Sequence, residues 1–108
     1  MSNDEIIRKT VEALTTALGH RLRRIVLYGS MARDDAAVGS DIDCLAVVDR
    51  IDRKLLDALD ETAAAMLLSH GAVCAFVPVT EERYLDGKNN PLLVNIEREG
   101  RVLWPKTA

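Results

Sequence analysis

Apolar positions in the first twenty residues recur at helical spacing. Ile7, Val11, Leu14 and Leu18 are four, three and four residues apart, one face of a helix. Ser2 or Asn3 can cap it, Asp4 and Glu5 suit its positive end, and Gly19 is a plausible stop. The period then shortens. "RRIVLYG" (23–29) carries the β-branched and aromatic residues of a strand that ends at Gly29. "SMARDD" (30–35) predicts a short helix starting at Ser30, and "AAVGS" (36–40) a loop. "DIDCLAVVD" (41–49) is apolar on both faces, which predicts a central strand.

"DRKLLDALDETAAAMLLSHG" (52–71) predicts a long helix burying Leu55, Leu56, Leu59, Ala63, Met66 and Leu67. "AVCAFVPV" (72–79) is a third strand, and Pro78 suits an edge or a bulge. "TEERYLDGKNN" (80–90) reads as a capped turn and loop. "NPLLVNIEREG" (90–100) is a last short helix with Asn90 as cap, Pro91 in the first turn and Gly100 at the exit. "RVLW" (101–104) adds a brief final strand. The order α, β, short α, β, α, β, α, β predicts an α/β (α+β) fold: one mixed β-sheet packed with helices, a single domain over residues 1–108.

Composition narrows the classes of function. The net charge is −3 and aromatics are 4% of residues, which argues against a non-specific nucleic-acid binder and against stacking platforms for single strands. The one basic cluster, His20, Arg21, Arg23 and Arg24, reads as a solvated helix C-terminus. Cys44 and Cys74 lie inside apolar runs, as buried reduced thiols do, and no Cys or His spacing suggests zinc. The polar start has no apolar signal core, and no stretch approaches the roughly 18 apolar residues of a membrane span. A cytoplasmic protein is expected.

The chemistry concentrates in "YGSMARDDAAVGSDIDCLAVV" (28–48). Asp41 and Asp43 stand at the head of a strand whose remainder is apolar, although carboxylates are rarely buried unless paired or bound to metal. Side chains two apart on a strand share a face, roughly 6–7 Å apart along the chain, so the pair can hold divalent cations, Mg²⁺ or Mn²⁺. Gly29 permits close backbone approach at the end of the preceding strand, and Ser30 adds a hydroxyl at the predicted helix start, where free amides favour phosphate. Arg33, three residues further on, can reach phosphate or pair with Asp41 or Asp43.

The segment G-S-x-A-R, a short loop, then G-S-D-x-D resembles the signature of the DNA polymerase β-like nucleotidyltransferase superfamily. The residues that carry the likeness are Gly29, Ser30, Ala32, Arg33, Gly39, Ser40, Asp41 and Asp43. The length is similar to that of the minimal nucleotidyltransferase (MNT-type) branch, which includes antitoxin partners of HEPN proteins. The resemblance implies that Gly29, Ser30, Arg33 and Ser40 bind a nucleoside triphosphate, ATP above all, and that Asp41 and Asp43 are catalytic and hold magnesium. It implies transfer of a nucleoside monophosphate to a protein or small-molecule acceptor. Partners expected from it are NTP, a HEPN-domain protein and a second copy of the chain. Larger members carry an added acceptor-binding domain, so here the acceptor surface is expected on another chain. Leu92, Leu93, Ile96, Val102, Leu103 and Trp104 either close the local core or form part of an interface.

One feature departs from the family. Active members place a third carboxylate on the strand after the long helix, whereas Gly71 to Thr80 contains no Asp or Glu. Glu81 and Glu82 follow, but they read as the first turn of a helix capped by Thr80. Two function classes therefore stay open: an enzyme, and a nucleotide-binding or antitoxin module that acts by contact. With that strand's register open, the uncharged residue facing the aspartates is Cys74, Ala75 or Phe76.

Overall fold

The computed structural model describes residues 2–33 and 39–105, with the side chains of Lys88 and Glu97 left aside. Helix α1 (Asn3–Leu18) leads through a 3₁₀ turn (Gly19–Arg21) into β1 (Leu22–Tyr28). β2 (Ile42–Val48), α2 (Arg53–His70) and β3 (Cys74–Thr80) follow as a strand–helix–strand unit. Then come α3 (Glu81–Leu85), a second 3₁₀ turn (Gly87–Asn89), α4 (Pro91–Glu99) and β4 (Arg101–Trp104). The strands form one sheet in the order β3-β2-β1-β4. β1 is antiparallel to β2 and to β4, and β2 is parallel to β3. The mixed sheet, the central place of β2 and the edge place of Pro78 agree with the sequence pattern.

Alternation along the strands divides the core in two. Ile25 and Leu27 of β1 and Ile42, Cys44, Ala46 and Val48 of β2 turn toward α1 and α2, where Leu14, Leu18, Leu55, Leu59 and Met66 meet them. Val26, Leu45, Val47 and Val79 turn the other way, against Leu93 and Ile96 of α4. Burying each such aliphatic side chain stabilises the fold by about 1.5–3 kcal/mol. β2 is thus buried on both faces except at its N-terminal end.

Each α-helix begins on a side-chain cap. Ser2 accepts from the Glu5 amide, Asp52 from Leu55, Thr80 from Arg83, and Asn90 from Leu92 and Leu93. The buried stripe of α1 is Ile7, Thr10, Leu14 and Leu18. Val11 is half-buried against the same core, and Thr10 is buried beside it, its hydroxyl satisfied by donating to the Ile6 carbonyl at 2.8 Å. On α2 the stripe is Leu55, Leu59, Thr62 and Met66, and Leu67 falls about 100° around the helix, 52% exposed.

Three further expectations change. Ser30 to Arg33 form a hydrogen-bonded turn rather than a helix start, and Asp34 and Asp35 lie outside the described residues. The basic cluster is not simply solvated. Arg21 donates to Asp49 and Asp52, each at 3.0 Å, and to the Arg50 carbonyl at 2.9 Å, tying the start of β1 to the end of β2 and the cap of α2. Arg24 lies over the Tyr84 ring, 5.3 Å from its centroid. The terminal segment divides: Leu93 and Ile96 are buried, Leu103 and Trp104 pack against the core, and Leu92 and Val102 are exposed.

Candidate active site

β1 ends at Tyr28, and Gly29 then turns the chain with φ +75°, a conformation open to glycine and costly for other residues. The Gly29 carbonyl accepts from the amides of Ala32 at 3.2 Å and Arg33 at 3.3 Å. The turn's own hydrogen bonds therefore do not use the Ser30 and Met31 amides, as at the start of a helix. Antiparallel register sets Tyr28 opposite Asp43, which brings the Asp43 carboxylate under the turn. A Cβ on Gly29 would lie 2.6 Å from Asp43 Oδ2. The glycine thus makes room for the carboxylate.

Asp41 is exposed, one residue before β2, and Asp43 is half-buried within it. Ile42 is buried on the α1–α2 side, so strand alternation turns Asp43 to the opposite face, with Asp41 just ahead of the strand. Ser40 is half-buried beside Gly39, and both line a cavity of about 170 Å³ shared with Asn3, Ile6, Met31 and His70. Arg33 is exposed on the turn, with Nη1 3.6 Å from Glu99 Oε2 on α4. The structure therefore joins Gly29 and Asp43 directly, holds Ser30 and Arg33 on the same turn, and sets Ser40 and Asp41 at the mouth of β2.

The parallel register of β2 and β3 resolves which residue faces the pair. Asp43 is side by side with Ala75. Cys74 pairs with Ile42 and Phe76 with Cys44, both on the helix-covered side. Glu81 and Glu82 follow Thr80, which pairs with Val48, five strand residues and about 16 Å from Asp43. Neither glutamate reaches the aspartates. Among the described residues, no three His, Cys, Asp or Glu side chains converge as a metal group.

Pattern reading did not single out Tyr28. Burial, and secondarily the Asp43 carboxylate, push its phenol up, so it remains protonated beside the site at neutral pH. The signal was its place at the strand end just before Gly29, which any antiparallel hairpin brings opposite the aspartate strand. Cys44, on the other face of β2, is pushed up to about 12, first by burial, then by Cys74 and Asp43. It is a packing residue.

A glycine turn over a strand-borne carboxylate, with a second carboxylate two residues away, has the chemistry that phosphate and a divalent cation call for. The chain matches the family described as nucleotidyltransferase domain over residues 7–102. It belongs to that family.

The nucleotidyltransferase domain is 34% identical over 104 residues to a Methanocaldococcus jannaschii protein provisionally named protein adenylyltransferase. That match covers 96% of this chain and 100% of the relative. Two solved structures share the fold. One is the complex of tri-AMPylated Shewanella oneidensis HEPN toxin with MNT antitoxin, at TM-score 0.65 and 20% identity over 96% of this chain and 73% of that one. The other is a toxin–antitoxin structure with AMP-PNP, at TM-score 0.64 and 21% identity over 92% and 73%. The nucleotidyltransferase domain thus has the fold of the minimal, MNT-type members. No helix among its described residues is long and apolar enough to cross a membrane.

Proposed function

We propose that the chain is an adenylyltransferase that moves AMP from ATP to a hydroxyl of an acceptor protein, and that a HEPN-type protein is its partner and acceptor. The observation that carries this reading is the contact between the Gly29 turn and the Asp43 carboxylate. It sets a backbone surface suited to phosphate against the acid that would hold the phosphate's counter-cation. The curated relative's name favours adenylyl transfer, and the structural neighbours favour the HEPN partner.

The donor set fits magnesium or manganese. Asp41 and Asp43 supply hard oxygen ligands at an open edge, and triphosphate oxygens and water complete the shell. The cation, when bound, would neutralise charge on the phosphates and polarise the α-phosphoryl group. The chain's own groups do the rest. Gly29 and Ser30 hold the β- and γ-phosphates at the turn. Ser40 donates at the mouth of β2. Arg33, on the same turn, adds positive charge toward the leaving pyrophosphate. The acceptor oxygen attacks the α-phosphorus, the bond from that phosphorus to the bridging oxygen breaks, and pyrophosphate leaves. The acceptor's proton goes to solvent. A cytoplasmic setting, where ATP and Mg²⁺ are available, suits this chemistry, and a second copy of the chain is a further candidate partner.

A second reading, a nucleotide-binding antitoxin module that acts by contact, is favoured by Ala75 beside Asp43. Incubation of the chain and a co-purified HEPN-type protein with α-³²P-ATP and with γ-³²P-ATP separates the two. Label retained on the partner from the α position alone supports the transferase. Complex formation without label in any Mg²⁺ or Mn²⁺ condition supports the contact module and overturns the enzyme.

A further inference from the structure

The edge of the sheet beside the aspartates limits which further ligands a cation at the pair could find. Magnesium is held through one or two protein carboxylates, with phosphate oxygens and water completing its shell, so a second ion about 3.5–4 Å from the first calls for a carboxylate beyond those the first already uses. Asp43 has two strand neighbours. On β1 it faces Tyr28, whose side chain carries no carboxylate. On β3 it faces Ala75, a methyl group. Glu81 and Glu82 lie beyond the far end of β3. Among the described residues no third acid joins the pair.

We infer that this is a one-cation site, in which Asp41 and Asp43 bind only the ion that accompanies the triphosphate, and that Ala75 is the position that withholds the second. The inference rests on the nucleotide-binding reading above. Ala75 is exposed on an edge strand, so a larger polar side chain there projects into solvent beside Asp43 without disturbing the core. The β3 backbone already sets its Cα side by side with that of Asp43, at the roughly 4.8 Å spacing of neighbouring strands. A carboxylate at residue 75 would thus stand where a second ion's outer ligand belongs.

The test is a count of bound metal. The wild-type chain and the Ala75→Asp and Ala75→Asn variants are titrated with Mn²⁺ in the presence of α,β-methylene-ATP, which cannot be cleaved at the α-phosphate. Bound ions are counted by electron paramagnetic resonance, and circular dichroism verifies the fold. The expected result is one Mn²⁺ per wild-type chain and per Ala75→Asn chain, and two, with spin–spin broadening, per Ala75→Asp chain. Two ions on the wild-type chain overturn the inference while leaving the nucleotide-binding reading intact. One ion on a folded Ala75→Asp variant also overturns it. No nucleotide-dependent Mn²⁺ binding by any chain removes the underlying reading, and the inference with it.

Discussion

The position that a side chain at Gly29 would take is 2.6 Å from Oδ2 of Asp43. Two residues 14 apart in sequence are therefore one structural unit, and the backbone of the turn is shaped by the acid beneath it. Gly29→Ala should affect two properties through two causes. The positive φ costs about 1–2 kcal/mol of stability for any residue with a Cβ. The methyl group also pushes the Asp43 carboxylate aside, which should weaken Mg·ATP binding roughly tenfold or more. Thermal melts and calorimetry measure the two separately. A folded Gly29→Ala protein with unaltered affinity would confine Gly29 to a backbone role.

Asp43→Asn and Asp41→Asn should keep the fold, since one carboxylate is half-buried and the other exposed. Each should lower metal-dependent ATP affinity by about 100-fold or more, given that losing even a residue that only orients a metal ligand costs about 10–100-fold. Glu81→Gln and Glu82→Gln, at the far end of β3, should leave that affinity unchanged. Calorimetry with and without Mg²⁺ decides, and a glutamate variant as impaired as the aspartate variants would contradict the β2–β3 register.

Arg21 and Asp52 should give the protein an acid-sensitive clamp. The Arg21 hydrogen bond, and then the Leu55 amide, hold the Asp52 carboxyl below its usual range. At Asp49, burial opposes ionisation, but the Arg50 amide and Arg21 outweigh it, so this carboxyl is also held low. Carboxylates lowered by folding stabilise fully above their unfolded value, about 4, and lose that contribution as pH falls through the folded value. Asp52→Asn retains the helix cap but not the charge. It should be less stable than wild type at pH 7, and the gap should close as pH drops below about 4. Urea midpoints across that range check this; a gap constant down to pH 2 would refute it.

The two thiols should differ in reactivity. Cys44 is buried and its thiol is pushed up to about 12, so it carries almost no thiolate at pH 8. Cys74 is half-buried and also pushed up, chiefly by burial. Iodoacetamide should modify Cys74 slowly in the native protein and Cys44 only after unfolding. Peptide mass mapping over time distinguishes them, and equal native rates would place Cys44 nearer to solvent than the fold allows.

Periodicity made the elements legible because the core is aliphatic and each helix has a side-chain cap. The central role of β2 could be read from apolar residues on both its faces, and the edge role of β3 from Pro78. The candidate site was legible as residue types at a spacing: Gly29, Ser30, Asp41 and Asp43. Pairing was not, because side-chain alternation does not say which residues of two strands stand side by side. Only the register separates Ala75 from Cys74 and Phe76, and only it sets Tyr28 against Asp43. The Arg21 clamp was hidden for a related reason: its acids lie 28 and 31 residues away, and charge near a helix end resembles an ordinary solvated terminus. At Ser30 the described residues show a turn closed by the Ala32 and Arg33 amides on the Gly29 carbonyl, and the rest of the expected helix lies outside the described residues.

The two pairings of β2 differ in kind, and this orders how the site assembles. β1 and β2 meet antiparallel across residues 29–41, whereas β3 reaches β2 only after the longer stretch 49–73, which contains the whole of α2. Closing the shorter loop costs less entropy, and contacts of lower sequence separation form earlier. The Gly29–Asp43 half of the site should therefore form earlier and persist longer than the Ala75 edge. In native-state hydrogen exchange, the β1–β2 amides should open only with global unfolding, while those of β3 exchange through smaller openings. The turn and the acid beneath it would keep their shape while the strand beside them opens.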